Sequence, residues 1–385
     1  MTASTMDALS ALLSGSADIL DIPPQTRDAA VARYEDVGNF LADSGGSRWS
    51  VYPQGSFLIG TAIRPPSTTD EYDIDLVLHK AIDKESTTQA DLKDEVGEML
   101  ADYHLHKIGA DDGPDDFFEK RRCWTLSYKA LGFHLDVLPA IPDADFLRSS
   151  NAILLTDNKL RPWQHANPKD YARWFRYRSE EMLRKLVASA KAANVDSVPD
   201  WAVRSTLQRL VQVLKWHCYR AFEDDLDDRP PSILITTLAA HAYRGQENLA
   251  DALLEVAQEM PNHIERSNGR WEVLNPAQEK ENFTDKWNEP DTAHRRGKFT
   301  RWCEAVQRDL EAASNSQGAG IDVLVDRLAG SFDRSVLVAS AARWATDTND
   351  LRRAGKLTVT PGTGTLGVAA GLVSPRHTFY GHAHS

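Results

Sequence analysis

Apolar side chains recur at two different periods along this chain, and the change of period divides it. Met6, Leu9, Leu12 and Leu13 fall three and four residues apart, which predicts a helix from Met6 to Leu20. Pro23 and Pro24 break it. A longer helix is predicted from Thr26 to Ala42, with Val31, Tyr34, Val37 and Leu41 on one face and Gly45–Gly46 ending it. Then the period drops to two. Ser50–Tyr52 reads as a short strand, Gln54-Gly55-Ser56 as a turn, and Phe57–Thr61 as a short helix or turn. In YDIDLVL (Tyr72–Leu78), Ile74, Leu76 and Leu78 alternate with Asp73 and Asp75. In FHLDVLPA (Phe133–Ala140) the apolar residues alternate with His134 and Asp136. Cys123–Tyr128 reads as a strand joined to the latter by a turn at Lys129–Gly132, and Gln89–His106 as a helix before a polar loop at Gly109–Asp116.

After Asn151 the pattern is helical. Helices are predicted at Pro168–Ala193, Pro199–Phe222, Ser232–Tyr243, Glu247–Met260 and Thr292–Ala313, with shorter ones at Ile321–Ala329 and Ser331–Trp344. From Gly355 the chain is rich in Gly, Thr and Pro and reads as a mobile tail. The fold class is therefore α+β in two lobes. Residues 1–150 form a mixed sheet flanked by helices, and residues 151–385 form a helical lobe that completes a cleft between them.

The alternation also gives chemistry. Side chains two apart on a strand share a face, roughly 6.5–7 Å apart along the backbone, so Asp73 and Asp75 point together, away from the core. With Asp136 they make three carboxylates on two strands. Bare carboxylates that close repel and raise one another's pKa. Hard divalent cations remove that cost, and oxygen donors suit Mg²⁺, with Mn²⁺ as a substitute. Two such ions roughly 3.5–4 Å apart activate an attacking hydroxyl and stabilise leaving pyrophosphate. Gly55 lets backbone approach a phosphate, and Ser56 supplies a hydroxyl at a turn entering a helix. Asp73, Asp75 and Asp136 are thus the expected catalytic and metal-holding residues, and Gln54, Gly55 and Ser56 the expected triphosphate grip.

Composition narrows the class. The net charge of −12 over 385 residues excludes a general nucleic-acid binder, which needs a basic face, but not a nucleotide enzyme. No run approaches the roughly 20 apolar residues of a membrane span, and no signal peptide opens the chain. The three scattered cysteines form neither a disulfide framework nor a zinc pattern, which fits a reducing cytoplasm.

The QGS, DID and LDV motifs resemble the polymerase-β-type nucleotidyltransferase superfamily. Within it, NPKDYARWF (Asn167–Phe175), LQRLVQVLKWH (Leu207–His217), PPSILITTLAAHAY (Pro230–Tyr243) and ENFTDKW (Glu281–Trp287) resemble the bacterial cGAS/DncV-like nucleotidyltransferases of anti-phage defence. The resemblance implies a polymerase-β-like core, and a Mg²⁺-dependent synthase that joins ATP and GTP into a cyclic di- or trinucleotide. The EYDIDLV form of the motif points to a purine cyclic dinucleotide such as cyclic GMP–AMP. The product then acts on a separate effector, with no DNA activator. The resemblance also implies that Lys215 contacts the donor triphosphate, that Ser232 helps hold phosphate, and that Asn167 lies by the acceptor base pocket. It raises a conjugating or regulatory partner from the same operon acting at the C-terminus, although this chain ends in Ser385 rather than glycine or alanine.

The same residues have plainer readings. Lys215 fits the edge of a buried helix face, Ser232 an N-cap, and Asn167 a cap of the helix after Pro168. Tyr171, Trp174 and Phe175 fit a core as well as a base stack; Arg64 fits a solvated charge as well as a phosphate contact; His134 fits a structural histidine as well as a group that supports Asp136 from the same strand face. Two alternative functions are a nucleotidyltransferase that modifies an RNA end or a protein, and a non-catalytic nucleotide-binding regulator.

Overall fold

A computed structural model describes residues 2–45, 48–64, 71–159, 162–179, 204–316 and 320–356, together with three two-residue strands at Thr358–Val359, Leu366–Gly367 and Leu372–Val373. The fold is α+β. Its main sheet has seven strands: β1 (Trp49–Pro53), β2 (Tyr72–Lys80), β3 (Asp116–Glu119), β4 (Trp124–Tyr128), β5 (Phe133–Pro142), β6 (Ile153–Leu155) and β7 (Gln164–Ala166). The order is β1-β2-β5-β4-β3, with β6 pairing β5 and β7. Only the β2–β5 pair is parallel, so the sheet is mixed.

Alternation sets which way each strand faces. Ile74, Leu76 and Leu78 on β2 are fully buried, as are Leu135 and Val137 on β5. They pack against α2 (Pro24–Gly45) and α4 (Gln89–Lys107) through Val37, Leu41, Leu92, Val96 and Leu100. Thr88 caps α4 by accepting from the Asp91 N–H.

The second apolar cluster is helical. It gathers α1 (Thr2–Leu20), a helix over residues 168–179 (α5), α6 (Thr206–Ala221), α7 (Ser232–Ala242), α8 (Leu249–Glu259), α9 (His294–Ser314), α10 (Ile321–Leu328) and α11 (Arg334–Arg353). Ser205 and Gln208 form a capping box that starts α6, so Arg204 and Ser205 lie outside the helix expected from Pro199. The expected stretches 180–193 and 199–203 lie outside the described residues.

Two features depart from chain order. α1 packs among the C-terminal helices, with Leu9, Leu12 and Leu13 fully buried in their cluster, rather than on the first lobe. The sheet also continues past residue 150 through β6 and β7. Two hairpins, β8–β9 (Glu265–Ser267 with Arg270–Glu272) and β10–β11 (Leu274–Asn275 with Gln278–Asn282), lie in the region read as helical. They are short and polar, so periodicity gives no sign of them. Among the described residues no helix is long and apolar enough to cross a membrane.

Candidate functional site

Parallel pairing of β2 with β5 sets Asp75 beside Asp136 and Asp73 beside His134. All four side chains lie on the face of the sheet opposite the Ile74–Leu76–Leu78 core. One oxygen each of Asp73 and Asp136 and one ring nitrogen of His134 lie within 4.8 Å of one another, a spacing that suits one cation. Burial, with the charges of Asp73 and Asp136 added, drives the Asp75 carboxyl well above the usual carboxylate range. That is the cost of crowding carboxylates, and it is what a divalent cation relieves.

The three carboxylates differ in their partners. Asp136 is buried, accepts from Thr125 Oγ1 at 2.6 Å, and receives Lys120 Nζ at 3.0 Å on each oxygen. Asp73 is 61% exposed, with His134 Nε2 3.3 Å from its Oδ1. Its setting at the cleft floor desolvates the Asp73 carboxyl and pushes it up, but the hydrogen bond and charge of His134 win and hold it below the ordinary range. His134 Nδ1 lies 3.4 Å from Glu71 Oε2, so both ring nitrogens face carboxylates. Burial alone would lower the His134 pKa; the Asp73 carboxylate outweighs it and raises it. Nothing in the alternation marks Lys120, Thr125 or Glu71 as neighbours. β4 carries Thr125, and Lys120 follows β3, a strand that the polar loop before it conceals.

The Gly-Ser turn follows β1. The Gln54 N–H donates to the Asp75 carbonyl at 2.8 Å, tying the turn to the aspartate strand. α3 (Gly55–Ile59) begins at Gly55 itself, whose φ is +64°. A Cβ on Gly55 would collide with Asp75 Oδ2. Glycine is therefore required both for its backbone conformation and for the close approach of the carboxylate. The backbone N–H groups that open α3 have no acceptor within the helix.

Gly55, Ser56, Asp73 and Asp75 line a cavity of about 450 Å³ that also takes in Lys215 and Ser232 from the helical lobe. Lys215 is 4% exposed and donates from Nζ to the Thr61 carbonyl at 2.9 Å. Burial drives its pKa down to about 8, against the pull of Asp73 and Asp75. It is a buried cation held near carboxylates without touching them, not a solvated helix-edge lysine. Ser232 is exposed and is the first residue of α7, so the expected N-cap role falls to Pro231. A proline at that position offers no side-chain acceptor, so no side chain caps this helix start, and Ser232 borders the cavity.

Asn167 is fully buried and does cap α5, accepting the Asp170 N–H at 3.3 Å; its Nδ2 reaches the Ala277 carbonyl at 3.1 Å. It also borders the cavity. Of the three aromatics on α5, Phe175 is core, Trp174 packs against that core, and Tyr171 both borders the cavity and meets Thr237 Oγ1 at 2.9 Å. Arg64 is exposed and does not border the cavity.

Residues 50–139 match the family described as "Cyclic GMP-AMP synthase DncV-like, nucleotidyltransferase domain". The chain is 30% identical over 260 residues to a c-di-GMP synthase of Roseivirga ehrenbergii, covering 66% of each protein. It is 27% identical over 358 residues to the cyclic dinucleotide synthase CdnG of Bradyrhizobium diazoefficiens, covering 87% of this chain and 82% of that one. The structure of that CdnG in complex with GTP superposes with a TM-score of 0.69 at 25% identity, over 88% of this chain and all (100%) of the other.

Proposed function

The chain belongs to the bacterial cGAS/DncV-like nucleotidyltransferases, a family of cyclic-oligonucleotide synthases, and from that premise we propose that it joins two purine nucleoside triphosphates into a cyclic dinucleotide and releases pyrophosphate. One observation carries the reading. The parallel register of β2 and β5 sets Asp136 beside Asp75, and Asp73 and Asp75 line the same cavity as a Gly-Ser turn, a buried lysine and the first residue of α7.

Each group has a role that its chemistry allows. Asp73, Asp75 and Asp136 would hold Mg²⁺ or Mn²⁺, with His134 fixing the Asp73 carboxylate. When bound, the metal lowers the pKa of the attacking ribose hydroxyl and offsets charge on the leaving pyrophosphate. The N–H groups at Gly55 and the Ser56 hydroxyl hold the triphosphate from one lobe. Lys215 and Ser232 hold it from the other, where the α7 N-terminus adds its partial positive charge. A bound polyanion would add counter-charge at Lys215 to that of Asp73 and Asp75.

Guanine is the favoured base, since one relative is named a c-di-GMP synthase and another was solved with GTP. ATP is the second candidate substrate, and cyclic GMP–AMP the mixed product. The setting is cytoplasmic, the product acts on a separate effector, and an operon partner acting at the C-terminus fits the same family. Residues Tyr380–Ser385 lie outside the described residues. The test is incubation of purified protein with each pair of NTPs and Mg²⁺ or Mn²⁺, with products identified by mass spectrometry and nuclease mapping. A cyclic dinucleotide made without duplex DNA is expected. Strict dependence on DNA, or product attached to RNA or protein, would overturn the proposal.

A further inference from the structure

The β10–β11 hairpin gives the cavity a polar wall that phosphoryl chemistry does not use. Asn275 on β10 and Glu281 on β11 line it, with Phe283 and Tyr171 beside them. Asn275 Oδ1 accepts the Ala277 N–H at 2.8 Å, which fixes the amide. Its Nδ2 then donates to Glu281 Oε2 at 2.6 Å and orients the carboxylate. Among the described residues, this is the one hydrogen bond to the Glu281 carboxylate, and no lysine or arginine pairs with it. Burial pushes its carboxyl up to about 7, with Asn275 and the more distant Arg122 charge pulling the other way. A carboxylate placed so, with acceptor capacity to spare, needs donors from whatever fills the cavity.

The adjoining surface is aromatic. The Tyr171 and Phe283 rings meet edge-on, 6.2 Å apart at 88°. A flat ring against that corner, with two N–H donors side by side on one edge, satisfies both features. Guanine has such an edge in N1–H and the N2 amino group. Adenine offers an acceptor, N1, beside its amino group and would set a lone pair against the carboxylate.

We propose that Glu281 is a specificity-determining residue that reads guanine, its two carboxylate oxygens accepting N1–H and N2–H of the base while Asn275 holds it in place. The assignment rests on the nucleotidyltransferase reading for what enters the cavity, but not on turnover.

Equilibrium binding of GTP, ITP and ATP, with Ca²⁺ replacing Mg²⁺ to suppress reaction, tests it in wild type and Glu281→Gln. ITP lacks only the N2 amino group. Wild type should favour GTP over ITP, and GTP over ATP, each by roughly ten- to a hundredfold, the range for a hydrogen bond to a charged acceptor. Glu281→Gln should lose most of both preferences by weakening GTP while leaving ATP binding within about twofold. Unchanged preferences in a folded Glu281→Gln protein overturn the assignment. So does wild-type protein that binds ITP as tightly as GTP, a result that needs no variant. Intact guanine discrimination without cyclic product would instead overturn the synthase reading alone, and binding of none of the three overturns both.

Discussion

Replacing Lys215 by methionine separates the stability of the empty protein from its grip on nucleotide. Burial lowers the Lys215 pKa from 10.5 to about 8. At about 1.4 kcal/mol per pKa unit, the folded state bears a cost of about 3 kcal/mol for holding the ammonium charged. Below pH 8 the side chain is charged in both folded and unfolded chains, so the cost is paid in full. Between pH 8 and 10.5 the folded protein has released the proton and the unfolded chain has not. The unfolded state then binds more protons, and wild-type stability rises with pH. Lys215→Met lacks this term. Loss of the hydrogen bond to the Thr61 carbonyl costs about 1–3 kcal/mol, but that cost does not depend on pH. The difference, wild type minus variant, should therefore grow by about 3 kcal/mol between pH 7 and pH 10.5. Urea melts of both proteins across that range measure it. In the same preparation, kcat/KM for NTPs should fall by roughly ten- to a hundredfold, mainly through KM. A flat stability difference would show that Lys215 is not a buried cation. Wild-type kinetics in a folded variant would remove it from the triphosphate grip.

The remaining predictions concern the other lobe. Replacing Asp73 and Asp75 together by Asn should cut turnover by at least roughly a thousandfold, about 4 kcal/mol of barrier, while the metal-free melting temperature stays at or above wild type. Substantial activity in that folded variant would sink the assigned site. Gly55→Ala places a Cβ against Asp75 Oδ2 at a φ of +64°, so it should lose activity and about 1–3 kcal/mol of stability. A denaturant melt and steady-state rates would show whether it does. Added duplex DNA should leave pyrophosphate release unchanged, as read in a coupled phosphate assay.

The parts legible in the sequence are those set by local rules. Period-two alternation gave β2 and β5 and the faces of Asp73, Asp75 and Asp136, because a pleated strand leaves a side chain no third direction. The Gly-Ser pair marked a turn, because a positive φ is costly for any other residue. Helical stripes gave α1, α2, α4 and most of the C-terminal helices within a few residues, but α11 runs on to Arg353, well past the end expected at Trp344. Their exact starts depended on caps such as Ser205 with Gln208, which periodicity does not register.

Tertiary structure decided the rest, through contacts between distant parts of the chain. Lys215 looked like a helix-edge charge until α6 packed against the first lobe and carried its Nζ to Thr61, 154 residues away in sequence. Ser232 looked like a cap until Pro231 took that position. Lys120 became a partner of Asp136, and His134 of Asp73, only through the arrangement of the strands. Glu281 reached the cavity on a hairpin too short and polar to leave an apolar pattern. α1 joined the far lobe because its apolar stripe specifies that a face be buried, not which surface buries it. The chain's periodicity fixes which groups turn away from the core, a property of each segment. How those groups meet, what each is charged against and how dry the meeting place is are properties of the packed whole, and these set the chemistry of the cavity.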